Sequence, residues 1–184
     1  MRLFMVPSVA VIVLAGFLSE GLANSPKNLT VNYGFNQFPR KYTCDGKNVS
    51  PQIEISELSG ISNVTSAAII LDDPDAPRGT FTHWVIWNMI PANVVPGSIP
   101  NVMNVTTPIE AVQGTNTAGK IGYMGLCPPP GKPHRYFLKV YGLDTMLDLK
   151  PGSTRSALEN AMKGMYSCRE KRWQLTVGEK RVII

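Results

Sequence analysis

The chain has 184 residues, 43% of them hydrophobic, and a formal net charge of +5. That length suits one domain able to bury a substantial core. The charge is modest and its basic residues are not interleaved with aromatics as in nucleic-acid readers, so nucleic acid is not an expected partner.

The chain opens with Met1-Arg2, an almost wholly apolar stretch from Leu3 to Leu18, and the small residues Gly21-Leu22-Ala23. This pattern predicts a signal peptide over residues 1–23 and a secreted or periplasmic single domain over 24–184. An uncleaved N-terminal membrane anchor is the alternative. Removing residues 1–23 takes away Arg2 and Glu20 together, so the net charge stays at +5.

Leu29 to Phe38 alternates briefly and predicts an opening strand, followed by a turn-rich segment from Pro39 to Pro51. Gln52 to Ile55 predicts a short strand and Leu58 to Asn63 a loop. Val64 to Leu71 is strongly apolar and bounded by Asp-Pro punctuation, as a buried strand would be. Residues 82–90 predict another strand, with Trp84 and Ile86 on one face and His83, Val85 and Trp87 on the other. Pro91 to Thr117 carries Pro91, Pro96, Pro100 and Pro108, lacks periodicity, and reads as a long covering loop.

A second Gly/Pro-dense segment, with Gly122, Gly125, Pro128, Pro129, Pro130 and Gly131, runs into His134-Arg135-Tyr136. Its prolines stiffen the loop and its glycines let backbone come close to a ligand. The following strand has His134, Tyr136, Leu138 and Val140 on one face, with Arg135, Phe137, Lys139 and Tyr141 on the other. One helix is predicted, N-capped by Ser153, with Leu158, Ala161, Met162 and Met165 packing into the core. From Lys163 to Ile184, six Lys/Arg against two Glu give a local charge of +4, which allows peripheral contact with anionic membranes. Short strands joined by Pro/Gly turns, with one late helix, predict a mainly β antiparallel sandwich with peripheral helices.

The ordered set Asp73-Pro-Asp75-x-Pro77, a His83-led strand, Gly122-Tyr-x-Gly125, Pro128-Pro-x-Gly131 and His134-Arg-Tyr136 resembles the phosphatidylethanolamine-binding protein family, also called Raf kinase inhibitor-like proteins. The likeness runs from about Tyr42 to Met165. It implies a Greek-key-like β fold with one small anion pocket. It also places Asp73, Asp75, His83, His134 and Tyr136 at the ligand site, with Gly125 and Cys127 presenting backbone to the ligand. The expected division of labour is direct contact for Asp73, and a turn plus histidine orientation for Asp75.

Both histidines of the chain fall within these motifs. Imidazoles, a phenol and loop amides are donors suited to an anion. The implied ligand is a phosphate-bearing small molecule or phospholipid headgroup, with a protease or kinase docking on the pocket rim as the alternative partner. No Gly-x-Ser-x-Gly occurs, so a His/Asp hydrolase is the least favoured reading and no enzyme activity is expected. No cofactor or metal is expected, since the cysteine spacings match no zinc pattern. Three cysteines in an exported chain permit one disulfide, for which Cys44–Cys127 is the preferred pair, leaving Cys168 free. Sequons begin at Asn28, Asn48, Asn63 and Asn104. After the helix, Gly164-Met-Tyr-Ser and the charged Cys168–Arg172 run depart from the family pattern.

Overall fold

The computed structural model describes residues 30–32, 35, 38–56, 58–61, 63–169 and 173–177. The predicted signal peptide, the sequon at Asn28, the Cys168 thiol and much of the basic C-terminal run lie outside what is described.

Three short strands, Thr30–Asn32 (β1), Ile53–Ser56 (β2) and Val94–Val95 (β5), form a small antiparallel sheet in the order β1-β2-β5. The larger sheet is built on Ser66–Asp73 (β3), Phe81–Met89 (β4) and His134–Leu143 (β8). It is completed by Asn104–Val105 (β6), Ala111–Thr115 (β7), Gly152–Thr154 (β9), Tyr166–Arg169 (β10) and Trp173–Val177 (β11). Its order runs β10-β8-β3-β4-β7-β6, with β11 also on β8 and β9 parallel to β7. β8 returns to lie beside β3 on the side away from β4, which is the Greek-key relation. The fold is thus mainly antiparallel β, with one α-helix among the described residues, as the sequence predicts.

Alternation along the central strands makes a two-sided sheet. Ala67, Ile69, Leu71, Trp84, Ile86, Leu138 and Val140 face the small sheet and pack on Val31, Ile53, Ile55 and Val95. Ala68, Ile70, Val85, Trp87 and Leu143 face the other way, onto Leu147 and onto Leu158 and Met162. Fully burying an aliphatic side chain of this kind contributes about 1.5–3 kcal/mol relative to leaving it in water. The central strands are therefore held from both faces, and their ends form a firm base for the residues beyond them.

Several expectations shift. The helix, Arg155–Ala161 (α1), is capped by Thr154, whose side chain accepts from the Ala157 amide, while Ser153 lies in β9. Met165 falls beyond the helix and is exposed, so the helical spacing from Leu158 buries Met162 but does not extend a further turn. The segment 91–117 contributes β5, β6 and β7. Two of these have two residues each, too few to register as a period, and the third carries the buried Gln113 at its centre. Gln113 is satisfied there by accepting from Trp84 Nε1 and donating to the Pro100 and Val102 carbonyls. The charged run after Cys168 leads into β11, whose backbone pairs with β8 from His134 to Leu138. Among the described residues no helix is long and apolar enough to cross a membrane.

Candidate functional site

Three adjacent strands, β8, β3 and β4, end at one place, and their terminal residues make the site. Asp72 lies opposite Phe137 and Thr82, and Asp73 opposite Phe81. β4 gains a residue relative to β3 between the pairs Leu71↔Trp84 and Asp72↔Thr82, a bulge at His83. Simple alternation puts His83 with Val85 and Trp87. The bulge turns it to the other face instead, where its ring lies 5.5 Å from that of Tyr136 and 4.7 Å from that of Phe81. The His134 ring lies 6.5 Å from Tyr136 on its other side. The result is a row, His83–Tyr136–His134, in which every side chain is buried.

Each imidazole is held through Nδ1. His83 Nδ1 donates to the Met124 carbonyl at 2.9 Å, and the Met124 amide donates back to the His83 carbonyl at 2.9 Å. A carbonyl only accepts, so Nδ1 carries the proton and Nε2 is left for other contacts. Burial pushes the His83 pKa down, partly opposed by the Met124 carbonyl and the Asp73 carboxylate. His134 Nδ1 donates to Asp73 Oδ2 at 2.7 Å.

It is Asp73, and not Asp75 as expected, that orients a histidine. Asp73 orients His134 with one oxygen and accepts the Asp75 amide with the other. Asp75 accepts from the Arg135 backbone amide, Nε and Nη2 at 2.8, 2.8 and 2.6 Å, and those bonds hold its carboxyl well below the usual range. It clasps the strand and does not touch a histidine ring. The Tyr136 hydroxyl is buried and makes no hydrogen bond of sound geometry, although the Asp73 carboxylate is near enough to help burial raise its pKa. An anion placed among these rings would give that hydroxyl an acceptor.

The loop expected to offer amides is itself braced. Gly125 donates its N–H to Asn48 Oδ1 and so does not hold it ready for a ligand. A Cβ there would lie 2.7 Å from the Thr43 carbonyl carbon and 2.8 Å from the Cys44 nitrogen, so only glycine fits. Cys44 and Cys127 form a disulfide beside this contact, the Cys44 amide donates to the Leu126 carbonyl, and the Tyr123 hydroxyl donates to the Tyr42 carbonyl. The disulfide, the glycine and the tyrosine lock loops 42–48 and 123–127 together. On the far face, buried Asp72 accepts from Thr82 Oγ1 at 2.9 Å and Lys139 Nζ at 2.7 Å, which fixes the strand ends from behind. Among the described residues no group of three or more His, Cys, Asp or Glu is placed to hold a metal.

Sequence reasoning overlooked Asn48, Met124, Arg135, Asp72 and Lys139. Asn48 reads as a sequon, and nothing local tells that its side chain reaches Gly125. Met124 acts through its backbone, which sequence does not display. Arg135 sat inside a quoted motif, and its charge opposite two aspartates was the signal available.

Residues 31–174 match the family model described as phosphatidylethanolamine-binding protein. The chain belongs to the phosphatidylethanolamine-binding protein family. It is 48% identical over 160 residues to a UPF0098 protein of Pyrococcus horikoshii, covering 85% of this chain and 80% of that one. A UPF0098 protein of Pyrococcus abyssi is 47% identical, with 88% and 90% covered. Two solved family structures are similar. One is a phosphatidylethanolamine-binding protein homologue of Chlamydia trachomatis, with TM-score 0.72, 29% identity, and 83% of this chain and 99% of that chain covered. The other is YbcL of E. coli, described as a new member of the mammalian family, with TM-score 0.71, 27% identity, and 85% and 100% covered. Family membership accounts for the order of the motifs along the chain.

Proposed function

We propose that this protein is an exported, non-catalytic binding protein for a phosphate-bearing small molecule or a phospholipid headgroup. The observation that carries the reading is the Tyr136 hydroxyl, buried near the Asp73 carboxylate but with no hydrogen bond of sound geometry among the described residues, beside two imidazoles each anchored through Nδ1. An oxyanion satisfies that donor, and each protonated histidine adds a charge-assisted bond from Nε2. Asp73 does not stand against the anion as a free carboxylate, because both its oxygens are engaged within the protein. Export is supported by the N-terminal apolar stretch and by a disulfide between two exposed cysteines, a bond that persists in oxidising compartments.

The test is calorimetry with inorganic phosphate and with phosphoethanolamine, at fixed ionic strength, on wild type and His134→Ala. Saturable binding in wild type that weakens about ten- to a hundred-fold in the variant is expected for the loss of one charge-assisted bond. Equal binding in both proteins places the anion elsewhere and ends this reading. Inhibition in a protease panel without phosphate binding would replace it with the rim-docking role.

A further inference from the structure

Apart from the histidine row, a cleft of about 320 Å³ opens between the segment 41–52 and the loop 97–98. Its lining includes Lys41 and Lys47 and no carboxylate. Neither ammonium is ion-paired with a described residue. Lys41 Nζ is held 4.6 Å from the centroid of the Tyr42 ring, so one cation already lies against the wall. Ser50, 1% exposed, accepts the Ile99 amide through Oγ and keeps its hydroxyl proton to donate.

The backbone around the cleft is unusual. Ser98 in the lining, and Asn48 between the lining residues Lys47 and Val49, have φ of 59° and 55°, a left-handed conformation that asparagine adopts readily but serine rarely and that gathers at ligand sites. Between them, Gly97 approaches the opposite wall so closely that a Cβ would lie 3.0 Å from the Gln52 nitrogen and 3.1 Å from the Ser50 oxygen. The cleft is therefore shaped by backbone and not by mobile side chains alone.

We propose that this cleft is a second anion site, separate from the histidine row, which takes a soluble organic phosphomonoester. Two ammonium groups without an ion pair or an opposing carboxylate among the described residues match a dianion. A water molecule's share of liquid volume is about 30 Å³, so the cleft holds the equivalent of about ten waters. That leaves room beyond the phosphate for a body the size of glycerol or a small sugar. The phosphate lies between Lys41 and Lys47, the Ser50 hydroxyl donates to it, and the body rests on Val49 and Tyr42.

The experiment is titration of glycerol 3-phosphate into the protein at constant ionic strength, followed by amide NMR, with glycerol alone as control. Saturable shifts are expected at the amides of Lys41, Lys47, Gly97 and Ser98, with affinity about ten-fold weaker in Lys41→Gln and in Lys47→Gln. The same shifts persist in His134→Ala, which separates the cleft from the histidine row. Unchanged ligand-free melting temperatures establish that the lysine variants are folded. Absence of saturable shifts at these amides, equal shifts with glycerol, or lysine variants that bind as wild type would each overturn the proposal while leaving the histidine site to its own test. Co-sedimentation with phosphatidylglycerol vesicles that is lost in both lysine variants would overturn the soluble ligand in favour of a lipid headgroup.

Discussion

His134 Nδ1 lies 2.7 Å from Asp73 Oδ2, and the two side chains are 10% and 5% exposed. The carboxylate fixes the ring's orientation and leaves Nε2 as its free nitrogen, so in the proposed site Asp73 would act through His134. Asp73→Ala should leave the His134 N–H without an acceptor and lower stability by about 1–3 kcal/mol. It should also weaken phosphate binding, because the ring is free to turn. Urea unfolding and calorimetry on the variant check the two effects. Undiminished phosphate affinity would mean that the pair is structural only.

His83 gives the pH dependence. Its pKa is lowered in the folded protein, chiefly by burial, from an unfolded value of about 6.5. Between the folded value and about 6.5 the unfolded chain binds more protons, so stability is complete above about 6.5 and declines as pH falls below it. Anion binding runs the other way, since a protonated His83 gains a donor at Nε2. Going from pH 8 to 6, the ligand-free melting temperature should fall more steeply in wild type than in His83→Gln, while the phosphate-induced increment grows. An NMR titration midpoint for His83 at or above about 6.5 would refute this account.

The strands and the site were legible in the sequence to different depths. Val64–Leu71 and His134–Tyr141 revealed themselves because burial on a sheet leaves apolar runs and period-two alternation; the first overlaps β3 from Ser66 onward and the second lies within β8. The ordered motifs named Asp73, His83, His134 and Tyr136, which the structure gathers into one cluster. What the sequence concealed is non-local or depends on register. The bulge that moves His83 onto the Tyr136 face is set by the pairing of β3 with β4, and no period in β4 alone reveals it. That Asp73 and not Asp75 orients a histidine is decided by which carboxylate reaches which residue of β8. Asn48 and Gly125 are 77 positions apart.

Gly125→Ala should expose how far the braced loop supports His83. The added methyl meets backbone of Thr43 and Cys44 at 2.7 and 2.8 Å, atoms that cannot rotate away. Overpacking of this kind costs about 1–3 kcal/mol. Movement of the loop also disturbs the paired hydrogen bonds of Met124 and His83. Reduced stability together with a smaller phosphate-induced shift is expected. Gly60→Ala is the control, since nothing lies within 4 Å of a Cβ at that position. Equal behaviour of the two variants would deny the loop its supporting role.

Two buried tyrosines provide the sharpest contrast between stability and binding. The Tyr123 hydroxyl donates to the Tyr42 carbonyl at 2.6 Å, whereas the Tyr136 hydroxyl has no partner of sound geometry. Removing one member of a buried hydrogen bond leaves the other unsatisfied, so Tyr123→Phe should cost about 1–3 kcal/mol. Tyr136→Phe removes an unmet donor and should leave stability unchanged or raise it slightly. Its effect on phosphate should be the reverse, with affinity falling about ten-fold because the anion loses its central donor. Chemical denaturation and calorimetry on both variants read the four values. A Tyr136→Phe protein that is markedly less stable and binds phosphate as wild type does would show that the hydroxyl serves the core and not the ligand.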